Sequence, residues 1–173
     1  MTSSNDDNSK VKNGWIGRFF EDFRIGDVYP HPVGRTITEE DNLLITFMAL
    51  NTARMHYDEE FARGTEFGKI LVMGYVTVAC VMGLSSSDLS MNSLRDLKWE
   101  KMEMLAPIAI GDTVYAKSEV LDLKDSENSE LGIVKVATTG FKPDGTVVTK
   151  FIRVFEVYRR KFSPIWKMGI KDQ

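Results

Sequence analysis

The sequence predicts an α+β domain in which an antiparallel sheet curls around one central apolar helix. Three observations predict it. From Tyr75 to Leu84 the chain is apolar on nearly every side, the pattern of a helix wrapped by other structure rather than lying on a surface. The second half changes to a two-residue period, in runs rich in β-branched and aromatic residues. A helix with an N-terminal cap and an acidic first turn lies ahead of both.

Each element follows from local chemistry. "MTSSNDDNSKVKNG" is polar, lacks an apolar segment, and is expected to be a disordered tail over residues 1–14. "YPHPVGRTIT" is extended, because each proline pushes its predecessor out of the helical region. His31, between two prolines, reads as a surface residue. Thr38 is a good N-cap, and Glu39, Glu40 and Asp41 then favour the positive end of a helix dipole. That helix runs through "NLLITFMAL", with Leu43, Leu44, Phe47 and Met48 on a shared apolar face, and fades near Asn51. Asp58 caps a short helix, "EEFAR", stopped by Gly64. The central helix is entered through "GKILVMG" and ends over Ser85 to Asp88. "DTVYAKSEVLDL" is a strand with Val114, Ala116, Ser118 and Val120 on one face. A polar loop, "KDSENSE", leads to "LGIVKVATTGFK", and the turn "KPDGT" joins that strand to "TVVTKFIRVFEVY". No repeat or flexible linker interrupts this order, so residues 15–162 are expected to form a single domain and 163–173 a C-terminal tail.

Composition narrows the function classes. The 173 residues are 43% hydrophobic and 27% charged, enough for a sizeable core in a soluble domain. A net charge of −3 with scattered basic residues advertises no nucleic-acid surface. The longest apolar stretch is shorter than the roughly 20 residues a bilayer crossing needs, so no membrane partner is expected. With no secretory signal, a cytoplasmic protein is expected. The single cysteine, Cys80, excludes an internal disulfide and any cysteine-based zinc cluster; it reads as a small buried hydrophobe.

Of the two histidines, His56 stands in "ALNTARMHYDEEFARG", between an amide-bearing turn and a run of acids. An imidazole moves protons near neutral pH, since its unperturbed pKa is about 6.5. A lone histidine after a helix is more often structural than catalytic, so its position needs a second argument. Asn51 cannot act as a base, although its amide can hold a water; it equally suits a helix C-cap. Gly74 opens the central helix, where backbone N–H groups have no intrahelical partner, or serves only close packing. Asp112 in "GDT" reads as a turn residue before a strand, and the methionines as core filler.

Three stretches supply that argument together: "RTITEEDNLLITFMALNTARMHYDEEFA", "FGKILVMGYVTVACVMG" and "LAPIAIGDTVYAKSEVL". In order and spacing they resemble the hotdog fold and, within it, the MaoC-like hydratase/dehydratase family, from about Gly17 to Arg160. The resemblance implies hydration of a 2-enoyl-CoA thioester or the reverse dehydration. The family's aspartate five residues before the histidine is Asn51 here, and its usual Asn-Pro is Ala53-Arg54. These departures bring the sequence nearer to a subgroup acting on branched C4 or C5 dicarboxylic thioesters of the mesaconyl-, itaconyl- or methylmalyl-CoA type. The resemblance makes His56 the proton-transfer residue and Asn51 its polar companion, with Asp41 and Asp58 the nearest carboxylates. Gly74 and Tyr75 become the oxyanion hole, and Arg54, Met73 and Thr77 substrate contacts. Arg54, Arg63, Lys69, Arg95 and Lys98 are candidates for the CoA phosphates. Coenzyme A enters only as part of the substrate; no further cofactor and no metal is expected. Hotdog proteins generally pair, so a homodimer with a site at the interface is expected. Two other functions stay open: a hotdog thioesterase, which the lack of an acid from Tyr75 to Leu84 disfavours, and a non-catalytic acyl-CoA-binding module.

Overall fold

A computed structural model describes residues 14–170. Five strands form one antiparallel sheet: β1 (Val28–Thr36), β2 (Ser93–Met104), β3 (Thr113–Asp125), β4 (Leu131–Phe141) and β5 (Val147–Tyr158), in the order β1-β3-β4-β5-β2. The helices are α1 (Glu39–Met48), α2 (Glu59–Arg63), the central α3 (Gly74–Leu89) and a short α4 (Pro164–Lys167). The tail expected over 1–14 lies, apart from Gly14, outside the described residues.

The core sits between α3 and the concave face of the sheet. Val114, Ala116, Ser118 and Val120 are all buried, as the alternation of β3 requires. From α3, Val76, Val78, Val81 and Leu89 are buried against them and against Val134, Val136, Phe151 and Phe155 of the next strands. The helix runs one residue past the expected Ser85–Asp88 ending because Ser85 and Leu89 also face the core. The β4–β5 turn closes through Lys142 and Thr146, with Gly145 at φ 88°, a conformation that favours glycine.

Several expectations need correction. The strand β2 carries no clear period in the sequence, because its pairing with β5 is broken three times and Lys101 sits at φ 48°. Such irregular, charged edge strands resist indiscriminate pairing. The apolar face of α1 is turned outward: Leu44, Phe47 and Met48 are exposed, whereas Asn42 and Thr46 are the buried residues. His31 is not on the surface. It is 4% exposed, its Nδ1 lies 2.7 Å from Asp88 Oδ2, and its Nε2 lies 3.0 Å from Ser118 Oγ. The ring lies between Asp88 of α3 and Ser118 of β3 despite the flanking prolines. Cys80 is half-buried rather than sealed. Residues after 162 are not simply a tail, since Ser163 is fully buried and Trp166 packs edge-on against Phe19 at 6.3 Å. Among the described residues no helix is long and apolar enough to cross a membrane.

Candidate active site

The site is assembled from the end of α1, the turn that follows, and the entry to α3. The start of α1 is fixed reciprocally: Asp41 N–H donates to Thr38 Oγ1 at 3.3 Å, and Thr38 N–H donates to Asp41 Oδ2 at 3.0 Å. At its other end Leu50, rather than Asn51, adopts the left-handed conformation, with φ 52°. Asn51 is therefore freed from the cap. Its Oδ1 accepts the Ala53 N–H at 2.8 Å, which folds the chain into the 3-10 turn Arg54–His56. Its Nδ2 points to Met73 Sδ at 2.9 Å, tying the turn to the residue before α3. Sequence placed Asn51 and Met73 in one site, and the fold brings them into contact.

His56 closes that turn and is half-buried. Its Nδ1 lies 2.9 Å from the Leu71 carbonyl oxygen. A carbonyl only accepts, so Nδ1 carries the proton and Nε2 of the neutral ring is the basic nitrogen. Leu71 is itself anchored: its N–H donates to the Met55 carbonyl at 3.2 Å, and it bridges to Ala109. Two residues later Met73 is the N-cap of α3. The imidazole and the helix N-terminus are thus parts of one hydrogen-bonded assembly.

Gly74 and Tyr75 are the first residues of α3, so helix geometry leaves their N–H groups without intrahelical acceptors. No acidic or basic side chain occupies that first turn. Thr77 is buried and, with Val72, Gly74, Met104 and Ile108, lines a cleft of about 230 Å³. A Cβ at Gly74 would come within 3.3 Å of Met104 Cε, so glycine keeps this approach open. On another side of the helix, Ile37, Asp41, Ile45, Val76, Ala79 and Cys80 help line a largely apolar groove of about 490 Å³. Tyr75 is exposed, and Met73 is sealed behind the site.

The neighbouring charges are already engaged. Asp58 Oδ1 caps α2 by accepting the Phe61 N–H, while its Oδ2 accepts from Arg54 at 2.6 Å. The Phe61 N–H, followed by the Arg54 guanidinium, holds the Asp58 carboxyl below its usual range. Asp41 is held down likewise, first by the Thr38 N–H and then by Arg35. Neither carboxylate is thus available as a proton donor near neutral pH. Of the candidate phosphate cations, Arg54, Arg63, Arg95 and Lys98 are paired with Asp58, with Glu59 and Glu60, with Glu156 and with Glu100. Lys69 alone of the five carries no salt bridge among the described residues, and it lines a shallow cleft with Glu39, Ala109 and Ile110. No group of three or more metal-ligating side chains occurs among the described residues.

Comparison with known proteins now decides the family. The model of the MaoC-like domain matches residues 21–141, spanning the turn that carries His56, α3 and four of the five strands. The chain belongs to the MaoC-like domain family. It is 34% identical over 146 residues to a mesaconyl-CoA hydratase of Cereibacter sphaeroides, an alignment covering 83% of this chain and 42% of the relative. A solved MaoC domain protein of Chloroflexus aurantiacus superposes with a TM-score of 0.81 at 28% identity, over 87% of this chain and 43% of that one. A Mycobacterium tuberculosis protein with a double hotdog fold matches with a TM-score of 0.73 at 21% identity, over 87% of this chain and 46% of that one. The fold is therefore the hotdog fold. This MaoC-like chain spans about two fifths of the length of the curated relative it matches.

One residue in contact with the candidate site escaped the sequence reading. Asn42 is 0% exposed, and its side chain contacts backbone atoms of both His56 and Met73. The available signal was an amide four residues before Thr46 on a helix whose other face is apolar. Hydrophobic periodicity assigns such a polar stripe to solvent.

Proposed function

We propose that this chain is an acyl-CoA hydratase/dehydratase that adds water across, or removes it from, the 2,3 double bond of an enoyl-CoA thioester. The observation that carries the reading is the His56–Leu71 hydrogen bond. It leaves Nε2 as the base and ties the ring to Leu71, on the stretch that leads into the α3 N-terminus. In hydration, Nε2 takes a proton from water as the water oxygen bonds to Cβ. The electron pair moves onto the thioester, and the oxygen's growing charge is met by the N–H groups of Gly74 and Tyr75. The imidazolium then returns a proton to Cα, so one water is added and His56 is regenerated. Asn51, with a second hydrogen on Nδ2 and a second lone pair on Oδ1, orients the water. Asp41 and Asp58 are committed elsewhere, which supports one imidazole carrying both proton transfers.

The likeness to a mesaconyl-CoA hydratase supports a branched C4 or C5 dicarboxylic acyl group. Arg54 then exchanges its exposed Asp58 bond for the second carboxylate, Thr77 shapes the acyl end with the buried Met73 only backing it, and Lys69 meets a CoA phosphate. The site is completed by a second hotdog unit. The outer edge of β2 is unpaired in the sheet, and Leu94, Leu97, Met102 and Met104 are exposed along it. Since one structural relative holds two hotdog units in one chain, a second copy of this chain is the simplest equivalent.

The test is a panel of C4–C8 enoyl-CoA and branched dicarboxylic enoyl-CoA thioesters, followed by loss of the conjugated thioester absorbance. Hydration of at least one class, with dicarboxylic substrates favoured, is expected. Release of free CoA instead would make the protein a thioesterase, and binding without either change would leave an acyl-CoA-binding module.

A further inference from the structure

Asn42 lies on α1, far in sequence from the two groups it joins. Its Nδ2 donates to the His56 carbonyl oxygen at 2.8 Å, and its Oδ1 accepts the Met73 N–H at 2.9 Å. The side chain is completely buried. An amide removed from water costs free energy unless its polar atoms are bonded, so an apolar residue would be the simpler filler at this position. Here both bonds go to backbone atoms of the two segments that carry the chemistry. One is the residue bearing the imidazole; the other immediately precedes the helix N-terminus that receives the thioester.

We propose that Asn42 is a positioning residue that sets the separation and orientation of the His56 ring relative to the first turn of α3. The inference rests on the hydratase reading for its kinetic consequence, but not for its structural one. Two contacts define the ring's place: Leu71 holds Nδ1, and Asn42 holds the main chain from which the ring hangs. Because Asn42 also holds Met73 N–H, the turn and the helix move as one unit. Without Asn42 the His56 carbonyl loses this donor in a partly buried setting. The turn then relaxes toward other donors and takes the ring away from Leu71.

The experiment compares the wild type with Asn42→Leu, which keeps the volume and removes both bonds. Asn42→Asp serves where the leucine variant does not fold: its carboxylate still accepts from Met73 but cannot donate to His56. Nitrogen-15 NMR of the imidazoles, at a pH where the rings are neutral, reads the tautomer of His56, with His31 as the internal control. Thermal unfolding gives the folded fraction, and hydration gives kcat and KM. The expected result is a single Nδ1–H tautomer for His56 in the wild type and a tautomer mixture in the folded variant, with His31 unchanged. The kcat falls on the order of 10²-fold, with KM within about threefold, as misplacement of a catalytic group requires. A folded variant that keeps the His56 tautomer overturns the proposal, as does a kcat that falls only in step with the folded fraction. A wild type without hydratase activity would remove the catalytic reading, while the tautomer comparison still decides the positioning role.

Discussion

At His56 the two ring nitrogens differ: Nδ1 is spent on the Leu71 carbonyl, and the proposed mechanism gives Nε2 to the substrate. His31 shows the opposite arrangement, with Asp88 on one nitrogen and Ser118 on the other, and Ser118 passed on to Thr138 at 2.8 Å. That chain has the order of an acyl-transfer triad, yet Ser118 is fully buried and no substrate can reach it. It is a pin holding the far end of α3 to β1, β3 and β4. His31→Ala would leave Asp88 and Ser118 each one partner short and open a cavity. A loss of about 2–4 kcal/mol in urea unfolding is expected, against less than about 1 kcal/mol for a surface residue. Both histidines were visible in the sequence, but flanking prolines say nothing about which way a strand faces. Asn42 was hidden for a related reason, since a polar residue announces burial only through partners distant in sequence.

Among the elements, α3 and β3 were the most legible because burial imposes a period or an unbroken apolar run. The edge strand β2 was not legible, since breaks in its pairing with β5 erase the two-residue alternation. The predicted apolar face of α1 exists, but its direction depends on what lies on either side, which one chain's sequence does not encode. The turn before β3 behaves as expected. Asp112 Oδ2 accepts the Ala109 N–H at 2.9 Å and the Lys142 ammonium at 2.6 Å, joining this turn to the β4–β5 hairpin. Burial works against the charge of Asp112, but Lys142 and the Ala109 N–H outweigh it and hold the carboxyl below its ordinary 3.8. A carboxyl whose folded pKa is depressed contributes stability above its unfolded pKa and loses it as pH falls through the folded value. The urea midpoint of the wild type should therefore drop on acidification from about pH 5 to about pH 3, and that of Asp112→Asn should drop less. Equal drops would remove Asp112 from the linkage.

For the molecule as a whole, the exposed residues are as informative as the core. Leu97 and Met102 on β2 lie along an open sheet edge, and Leu44, Phe47 and Met48 cover the outside of α1. Exposed apolar residues gathered into a contiguous patch mark contact sites. The proposed second copy covers the edge, so sedimentation should give twice the mass of one chain. Met102→Lys should shift the equilibrium toward monomer while the monomer stays folded. A monomeric wild type would contradict this assembly. The hotdog architecture was legible from three stretches in sequence order, and the fold brings the His56 turn and the α3 entry that they contain together. The proposed second unit was not, because one chain's residues carry no direct record of what covers the β2 edge.

The central claim is that a single imidazole, held by the Leu71 carbonyl beside the opening of α3, performs the proton transfers. Its most direct measurement is steady-state hydration of the best enoyl-CoA substrate by wild type and His56→Ala, with substrate binding measured separately by calorimetry. The account requires kcat to fall by at least about 10³-fold in the variant, on the scale of a lost general base, with Kd nearly unchanged. Turnover by His56→Ala at the wild-type rate would contradict it.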